Sequence, residues 1–551
     1  VLETVLVGTL PLSGRGATDV QPTEGGEPFL GSRSSERIPV ERIAVLDLGS
    51  QYTFLIARRI REHCVYAEVL PPDTSAQSLA RAGYRGIVLS GGPASVYDEK
   101  APRCDPRLFA LGTPVLGICY GMHLMAQAGD GSVQRAAKRE FGPTLLTVRR
   151  SDPLWGTAPP GFTAQVWMSH GDKVEGVPAE FVVLASSANC PVSAMRHETL
   201  PLYGLQFHPE VSHTEGGEAL LGRFVRDICG CSGDWTPQLF LQRAVAETKE
   251  QVGNGEVLCG VSGGIDSTVT AAIAARAVGQ ALHCVFVDHG LLRWGESAEV
   301  RRMFAEQLGI PLLVVNRSRR FLRRLRGIGD PEQKRVVIGH AFVEVFQEVA
   351  RRWPRARFLA QGTLYPDRIE STRQEGPSAT IKTHHNVGGL PDWMDLDLVE
   401  PLKDLFKDEV RSAARHLGLP SSLVNRHPFP GPGLAVRVVG EVTAERVSTL
   451  RRADMIFLSE LRRAGYYDKV WQAFAVLLPV QSVGVMGDER TYEDVVALRA
   501  VVSTDAMTAD WARLPAPLLA RASNRIINEV RGVNRVVYDV SSKPPSTIEW
   551  E

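Results

Sequence analysis

Three stretches of the chain carry residue types whose spacing can do chemistry. The first is Ser262-Gly263-Gly264-Ile265-Asp266-Ser267-Thr268. Its glycines let the backbone approach a bound group closely, and Ser262, Ser267 and Thr268 add hydroxyl donors. The second pairs Cys119, set between Gly117 and Gly121, with Gly204-Leu205-Gln206-Phe207-His208-Pro209-Glu210. A nucleophilic thiol needs a base, and the base needs a group to orient it. His208 and Glu210 supply both within three residues. The third is a polar region in which Asp367 and Glu370 suit Mg²⁺, and Lys382 and His384 suit developing negative charge.

These residues need particular elements to position them. Val257–Val261 reads as a buried strand and Thr268–Val278 as a helix closed by Gly279. Strand, Gly-rich turn and helix together aim backbone N–H groups at one point, which is an anion site and most often a phosphate site. The loop lacks the Gly-Lys-Ser/Thr ending of a γ-phosphate-transferring loop. An ordinary Gly/Ser turn has the same local composition. Pro114–Cys119 reads as a strand running straight into Tyr120-Gly121-Met122-His123, so Cys119 sits on a tight elbow at a helix N-terminus, where a thiol pKa falls. Taken singly, Cys119 reads more readily as a buried structural thiol and His208 as an ordinary strand-end histidine.

The chain has 551 residues, enough for roughly three or four domains. Its 62 Lys+Arg balance 62 Asp+Glu, which disfavours a nucleic-acid or anionic-membrane partner and favours small substrates. No apolar run reaches the roughly 18–20 residues of a membrane span. The eight cysteines show no C-x₂-C pair, and Cys229-x-Cys231 lacks further ligands, so neither a zinc site nor a disulfide framework is expected. A reducing cytoplasm fits. Residues 1–40 are Gly-, Ser-, Thr-, Pro- and Glu-rich, read as a disordered extension, and carry no secretory signal. The sequence opens on Val, and the working protein is expected to begin near Glu41.

From Arg42 onward apolar strands alternate with helices: Ile43–Asp47, Tyr52–His63, Gly86–Ser90 before Gly91-Gly92-Pro93, then Pro114–Cys119. This is an α/β doubly wound pattern. A β-rich stretch spans 140–207, Asp234–Pro237 reads as a linker, and a second α/β unit runs to about 426. Residues 428–551 mix strands such as Arg535–Val540 with helices such as Leu518–Glu529. Residues 317–326 hold six arginines in ten positions. They read either as RNA-binding or as a surface helix burying Phe321, Leu322 and Leu325.

The motifs carry resemblances. Gly117–Gly121 and Phe207–Glu210, with Gly91-Gly92-Pro93, are similar to class I glutamine amidotransferases over about 42–230. The resemblance implies that Cys119 attacks a glutamine amide, His208 moves the proton, Glu210 orients His208, and Gly91, Gly92 and Tyr120 hold the oxyanion. Where that family has C-x-G-x-Q, this chain has His123, read as a substitute contact to glutamine. The 262–268 loop resembles that of N-type ATP pyrophosphatases, which cleave ATP between its α and β phosphates. With Gln361–Asp367 and Lys382–Gly389 it implies ATP binding by Ser262–Thr268 and Gly362, and a lid of Asp367, Glu370, Lys382, His384 and His385, of which Asp367 and Glu370 would hold Mg²⁺. Pro428–Arg437, Val485–Arg490 and Asn534–Pro545 complete a resemblance to the glutamine-hydrolysing GMP synthase family across about 41–551. It implies an amidotransferase domain at 41–232, a pyrophosphatase domain at 235–426 and a dimerisation and XMP-binding domain at 427–551. The expected architecture is α/β, two doubly wound parallel-sheet domains plus a smaller α+β domain. The expected activity is ATP-dependent amination of XMP to GMP through an adenyl-XMP intermediate. Arg335, Gln472, Arg535, Lys543, Ile548 and Glu549 would bind XMP, and the chain would form a homodimer. A ligase making NAD or asparagine, or a tRNA-modifying enzyme, are the alternatives.

Overall fold

The computed structural model describes residues 40–372, 396–486, 489–503 and 508–551. Of the expected extension 1–40, residues 1–39 lie outside them, as do Lys382, His384 and His385.

The first sheet has nine strands. Tyr66–Leu70, Arg42–Leu46, Gly86–Leu89, Val115–Ile118 and Leu202–Leu205 lie side by side in that order and run parallel. Ala194–His197, Phe181–Ser186, Ser132–Val148 and Thr163–Gly176 continue it antiparallel. Gly86–Leu89, Val115–Ile118 and Leu202–Leu205 are buried at every position, as strands covered on both faces must be. The antiparallel part is the β-rich stretch expected over 140–207.

The second sheet is wholly parallel, in the order Leu312–Asn316, Leu282–Asp288, Glu256–Val261, Ala356–Ala360, Asp397–Val399. The chain builds outward from Glu256–Val261 on one side, then crosses back to its other side. The order therefore reverses between Glu256–Val261 and Ala356–Ala360, and ligand crevices of such sheets open beyond the strand ends at that point. Ser262 and Gly362 both follow these two ends.

The third sheet is smaller and mixed. Gln472–Met486 and Glu489–Val502 form a long hairpin, and Val533–Tyr538 pairs parallel with the second of them. Helices Ala444–Arg463 and Ala516–Glu529 bury Leu450, Phe457, Leu518 and Ile526 in the same core. The architecture is thus the expected α/β pair with an α+β unit.

The segment read as a linker, Asp234–Pro237, is anchored instead. Trp235 is buried against Tyr66, with ring centroids 4.7 Å apart, and its indole N–H donates to Glu409 Oε1 at 2.6 Å. Beside it Arg61, from helix Thr53–Glu62, is enclosed by Tyr66, Tyr365, Phe406 and Trp235, its guanidinium carbon 4.3–5.9 Å from their ring centroids. Arg61 donates to the carbonyls of Ala67 and Asp404 and pairs with Glu409 at 2.9 Å. Burial opposes its charge, but Glu409, with Tyr66 and Tyr365, outweighs that and raises its pKa. The Tyr365 hydroxyl accepts from Val69 N at 2.5 Å.

The arginine-rich run forms helix Ser318–Leu325. Phe321 and Leu325 are buried, and Arg317, Arg320 and Arg324 pair with Glu344 and Glu348 of helix Pro331–Ala350. The surface-helix reading accounts for these three cations.

His123, His289 and His427 are buried, and burial pushes each pKa down to about 4. The unfolded chain takes up the same protons near 6.5, so it binds more protons than the folded chain between about 6.5 and 4. Stability therefore falls as pH falls through that window, by about 1.4 kcal/mol per pH unit for each histidine. Urea midpoints measured across it should decline, and His289→Gln should make the decline shallower. An unchanged slope would remove His289 from the account.

Candidate active sites

Cys119 has φ +50° and ψ −105°, a conformation side chains rarely adopt, and it opens helix Tyr120–Ala128. Two glycines make the elbow possible: a Cβ on Gly117 would lie 2.7 Å from Gly121, and one on Gly121 would lie 2.5 Å from the Leu89 carbonyl oxygen. The strand pairing Ile118↔Leu205 brings the ends of two adjacent parallel strands level, so Cys119 and His208 leave the sheet on the same side. His208 Nδ1 lies 2.7 Å from Glu210 Oε1, and Glu210 is buried. The His208 carbonyl accepts from Thr214 Oγ1 at 2.6 Å, and Tyr52 packs edge-on against the imidazole at 5.3 Å. Burial works against a charged His208, but the Glu210 carboxylate and the Cys119 sulfur prevail and hold its pKa well above the ordinary value. Gly91 lines the same space, its Cβ direction meeting His208 Cε1 at 3.1 Å and Cys119 Cβ at 3.6 Å. Gly92 packs on the Leu48 carbonyl, and Tyr120 heads the helix, whose first N–H groups have no partner within it.

The second centre lies at the switch point of the parallel sheet. The helix after the loop starts at Ile265, three residues earlier than expected, because Gly264 already stands at its N-cap. Gly263 has φ +78°, and a Cβ there would fall 2.6 Å from Val300 Cγ2. Ser262 and Ser267 hydroxyls lie 3.0 Å apart at the loop mouth. Thr268 is buried and its hydroxyl donates to the Gly264 carbonyl at 2.8 Å, so its proton is engaged inside the helix. A Cβ on Gly362 would meet Thr270 Oγ1 at 3.2 Å and Asp266 at 3.3 Å. Asp266 pairs with Lys407 through Oδ2, while its buried Oδ1 has no hydrogen-bond partner. Asp367 Oδ2 accepts from Leu364 N at 3.2 Å at the start of helix Tyr365–Thr372, and Glu370 lies on that helix.

In the third unit Gln472 and Glu549 meet directly: Gln472 Nε2 donates to Glu549 Oε1 at 2.7 Å. The buried Arg437 grips the same carboxylate with two bonds, at 3.0 and 2.8 Å. Arg335 donates to the Glu551 carbonyl at 2.7 Å. Arg499, fully buried, donates to the carbonyls of Ser541, Thr547 and Ile548 and so shapes the segment bearing Lys543 and Ile548. Arg535 is exposed on Val533–Tyr538, and no hydrogen bond joins it to Gln472 or Glu549 among the described residues.

Sequence reasoning assigned no role to Lys407, Arg426, Arg437, Arg499 or Gln206. Arg437 closes the quoted Pro428–Arg437 motif and Gln206 precedes Phe207–Glu210, which are the signals available for those two. Arg426 donates to the Gly263 carbonyl at 2.9 Å and pairs with Glu296 at 2.7 Å, steadying the anion loop from a distant part of the chain.

Three family models match the chain. Residues 44–228 match class-I glutamine amidotransferases, 238–322 match NAD synthase, and 459–550 match the GMP synthase C-terminal domain. Fold and sites define an amidotransferase joined in one chain to an ATP pyrophosphatase-type synthetase. Among the relatives, GMP synthase (glutamine-hydrolyzing) of Thiobacillus denitrificans is 54% identical over 518 residues, covering 93% of this chain and 100% of that one. The enzyme of the same name from Chlorobaculum tepidum is 54% identical over 519 residues, and that from Carboxydothermus hydrogenoformans 55% over 510, each covering 93% of this chain and 99% of the relative. The chain belongs to the family of glutamine-hydrolysing GMP synthases.

The 2.7 Å pair generates a test. A raised His208 pKa contributes stability fully below about 6.5 and loses it as pH rises through the folded value. In Glu210→Gln the charge is gone while burial and the Cys119 contact remain, so the His208 titration followed by NMR should move down from its value in the parent chain. Glutamine hydrolysis should fall roughly 10²–10⁴-fold. A His208 titration unmoved by the substitution would contradict the assignment.

Proposed function

We propose that this chain makes GMP from XMP, ATP and glutamine by joining two reactions. At the first centre Cys119 attacks the side-chain carbonyl carbon of glutamine, and the backbone N–H groups of Gly91, Gly92 and Tyr120 take the charge on its oxygen. The C–N bond breaks as His208, held by Glu210, gives its proton to the departing nitrogen. Water then cleaves the thioester, with His208 as base, and glutamate leaves.

At the second centre the loop Ser262–Ser267 and Gly362 hold the β- and γ-phosphates of ATP. The C2 oxygen of XMP attacks the α-phosphorus and pyrophosphate departs, leaving adenyl-XMP. Ammonia then attacks C2 and AMP is the leaving group. Gln472 and Glu549 are suited to purine N–H and carbonyl groups, Ile548 to the ring face, and Arg335, Arg535 and Lys543 to the phosphate. Asp367 and Glu370 would hold Mg²⁺, which would offset phosphate charge; the orphaned Asp266 Oδ1 beside the loop fits a nearby cation. The family resemblance gives Lys382, His384 and His385 the remaining cationic duty. The domains would divide at 41–232, 235–426 and 427–551. No helix among the described residues is long and apolar enough to cross a membrane.

The observation that carries this reading is the coexistence of the Cys119 elbow, with its His208–Glu210 pair, and the 262–268 anion loop in one compact unit. Purified protein given XMP, ATP, Mg²⁺ and glutamine should release GMP, AMP and pyrophosphate one for one, with no ADP. Cys119→Ala should stop glutamine-driven synthesis and keep ammonium-driven synthesis. ADP as product, or no GMP from either nitrogen source, would overturn it.

A homodimer is part of the same reading. On the hairpin of the third sheet Val480, Val483, Val485 and Tyr492 are 54, 45, 76 and 55% exposed, an apolar surface suited to a second copy. Sedimentation should give a dimer, and Val485→Lys should shift it to monomer. A monomeric parent chain would remove this element.

A further inference from the structure

Behind the Cys119 elbow lies a buried polar chain that the mechanism above does not use. His123 stands one helical turn after Cys119 and is 3% exposed. Its Nε2 lies 2.8 Å from Gln206 Oε1, and Gln206 Nε2 donates to Cys119 Sγ at 3.7 Å. Gln206 is wholly buried, so water cannot replace either partner. The Cys119 thiol itself can donate to the Ser169 carbonyl at 3.7 Å.

We propose that His123 is a positioning residue for glutamine hydrolysis: its Nε2–H donates to Gln206 Oε1 and so keeps the Gln206 amide N–H aimed at the Cys119 sulfur. The proposal rests on Cys119 being the nucleophile. An amide has an acceptor end and a donor end, and only the donor end favours a thiolate. Turned round, Gln206 would present its oxygen to the sulfur and favour the protonated thiol. A neutral imidazole supplies one N–H, and burial keeps His123 neutral, with its pKa down to about 4. That N–H can sit on either ring nitrogen, and the Nε2–H tautomer is the one that serves the Gln206 oxygen at 2.8 Å.

This places His123 behind the nucleophile, where sequence reading expected it beside the substrate. A glutamine in its place, as in the family pattern, also carries a donor amide. The titratable groups around the chain of contacts are His208 with Glu210, His170 with Glu140, and Asp172. Removing the His123 donor leaves all of them in place.

The test compares His123→Leu, His123→Gln, Gln206→Leu and the His123→Leu/Gln206→Leu pair with the parent chain. The readouts are kcat and KM for glutamine and the pH dependence of Cys119 alkylation by iodoacetamide. Ammonium-driven GMP synthesis at the other centre reports folding. His123→Leu should lower kcat roughly ten- to a hundredfold with KM for glutamine within about twofold, and alkylation should require a pH higher by about one unit. Gln206→Leu should do the same, the double variant should be no worse than either, and His123→Gln should recover most of the rate. If His123→Leu does not fold, Gln206→Leu and His123→Gln decide by the same readouts. Unchanged kcat and alkylation profile would overturn the proposal, and a raised KM with unchanged kcat would return His123 to direct substrate contact. A parent chain that does not hydrolyse glutamine would refute the nucleophile assignment itself.

Discussion

A buried cation stands at the junction of the two catalytic units. Arg61 leaves a helix of the first domain and is surrounded by rings contributed from Tyr66, Trp235, Tyr365 and Phe406. An unpaired guanidinium in such a place would cost several kcal/mol, so its stability depends on every partner arriving together. Glu409 neutralises it, carbonyls of Ala67 and Asp404 take its remaining donors, and four π faces replace its water. The same helix presents Arg59 to the Glu210 carbonyl at 3.0 Å and Arg58 to Asp408 at 3.3 Å. One element thus contacts both the base-orienting residue of the first centre and the helix whose Lys407 pairs with Asp266 of the second.

The division between legible and illegible follows sequence distance. The Cys119 elbow is readable because its requirements, Gly117 and Gly121, are local, and His208 and Glu210 are readable because they sit two residues apart. The anion loop is readable for the same reason, apart from the helix start, which Gly264 brings forward to Ile265. The cage around Arg61 is not readable. Its rings come from positions 66, 235, 365 and 406, and nothing local distinguishes Arg61 from the surface arginines beside it.

Charge misleads in a related way. Arg437 and Arg499 belong to residue types that are almost never fully buried without a partner, yet both are wholly inside. Each is explained by what it grips: Arg437 the Glu549 carboxylate, Arg499 the carbonyls of the 541–548 segment. Trp235 misleads in the opposite direction, because a Pro-containing segment between domains reads as flexible while its indole is a structural pin. The arginine-rich run at 317–326 is legible as a helix, and the glutamates that neutralise three of its cations lie on the next helix.

The register between Val115–Ile118 and Leu202–Leu205 has a consequence for how such an enzyme can change. Ladder hydrogen bonds act as a calliper: they set the gap between nucleophile and base whatever the chain does in between. The stretch from 129 to 201 leaves the parallel layer, forms an antiparallel wing and returns to the same rung. Insertions and deletions in that wing alter length without altering reach. Evolution, or an engineer, is therefore free to remodel the wing's outer turns while the chemistry stays in alignment.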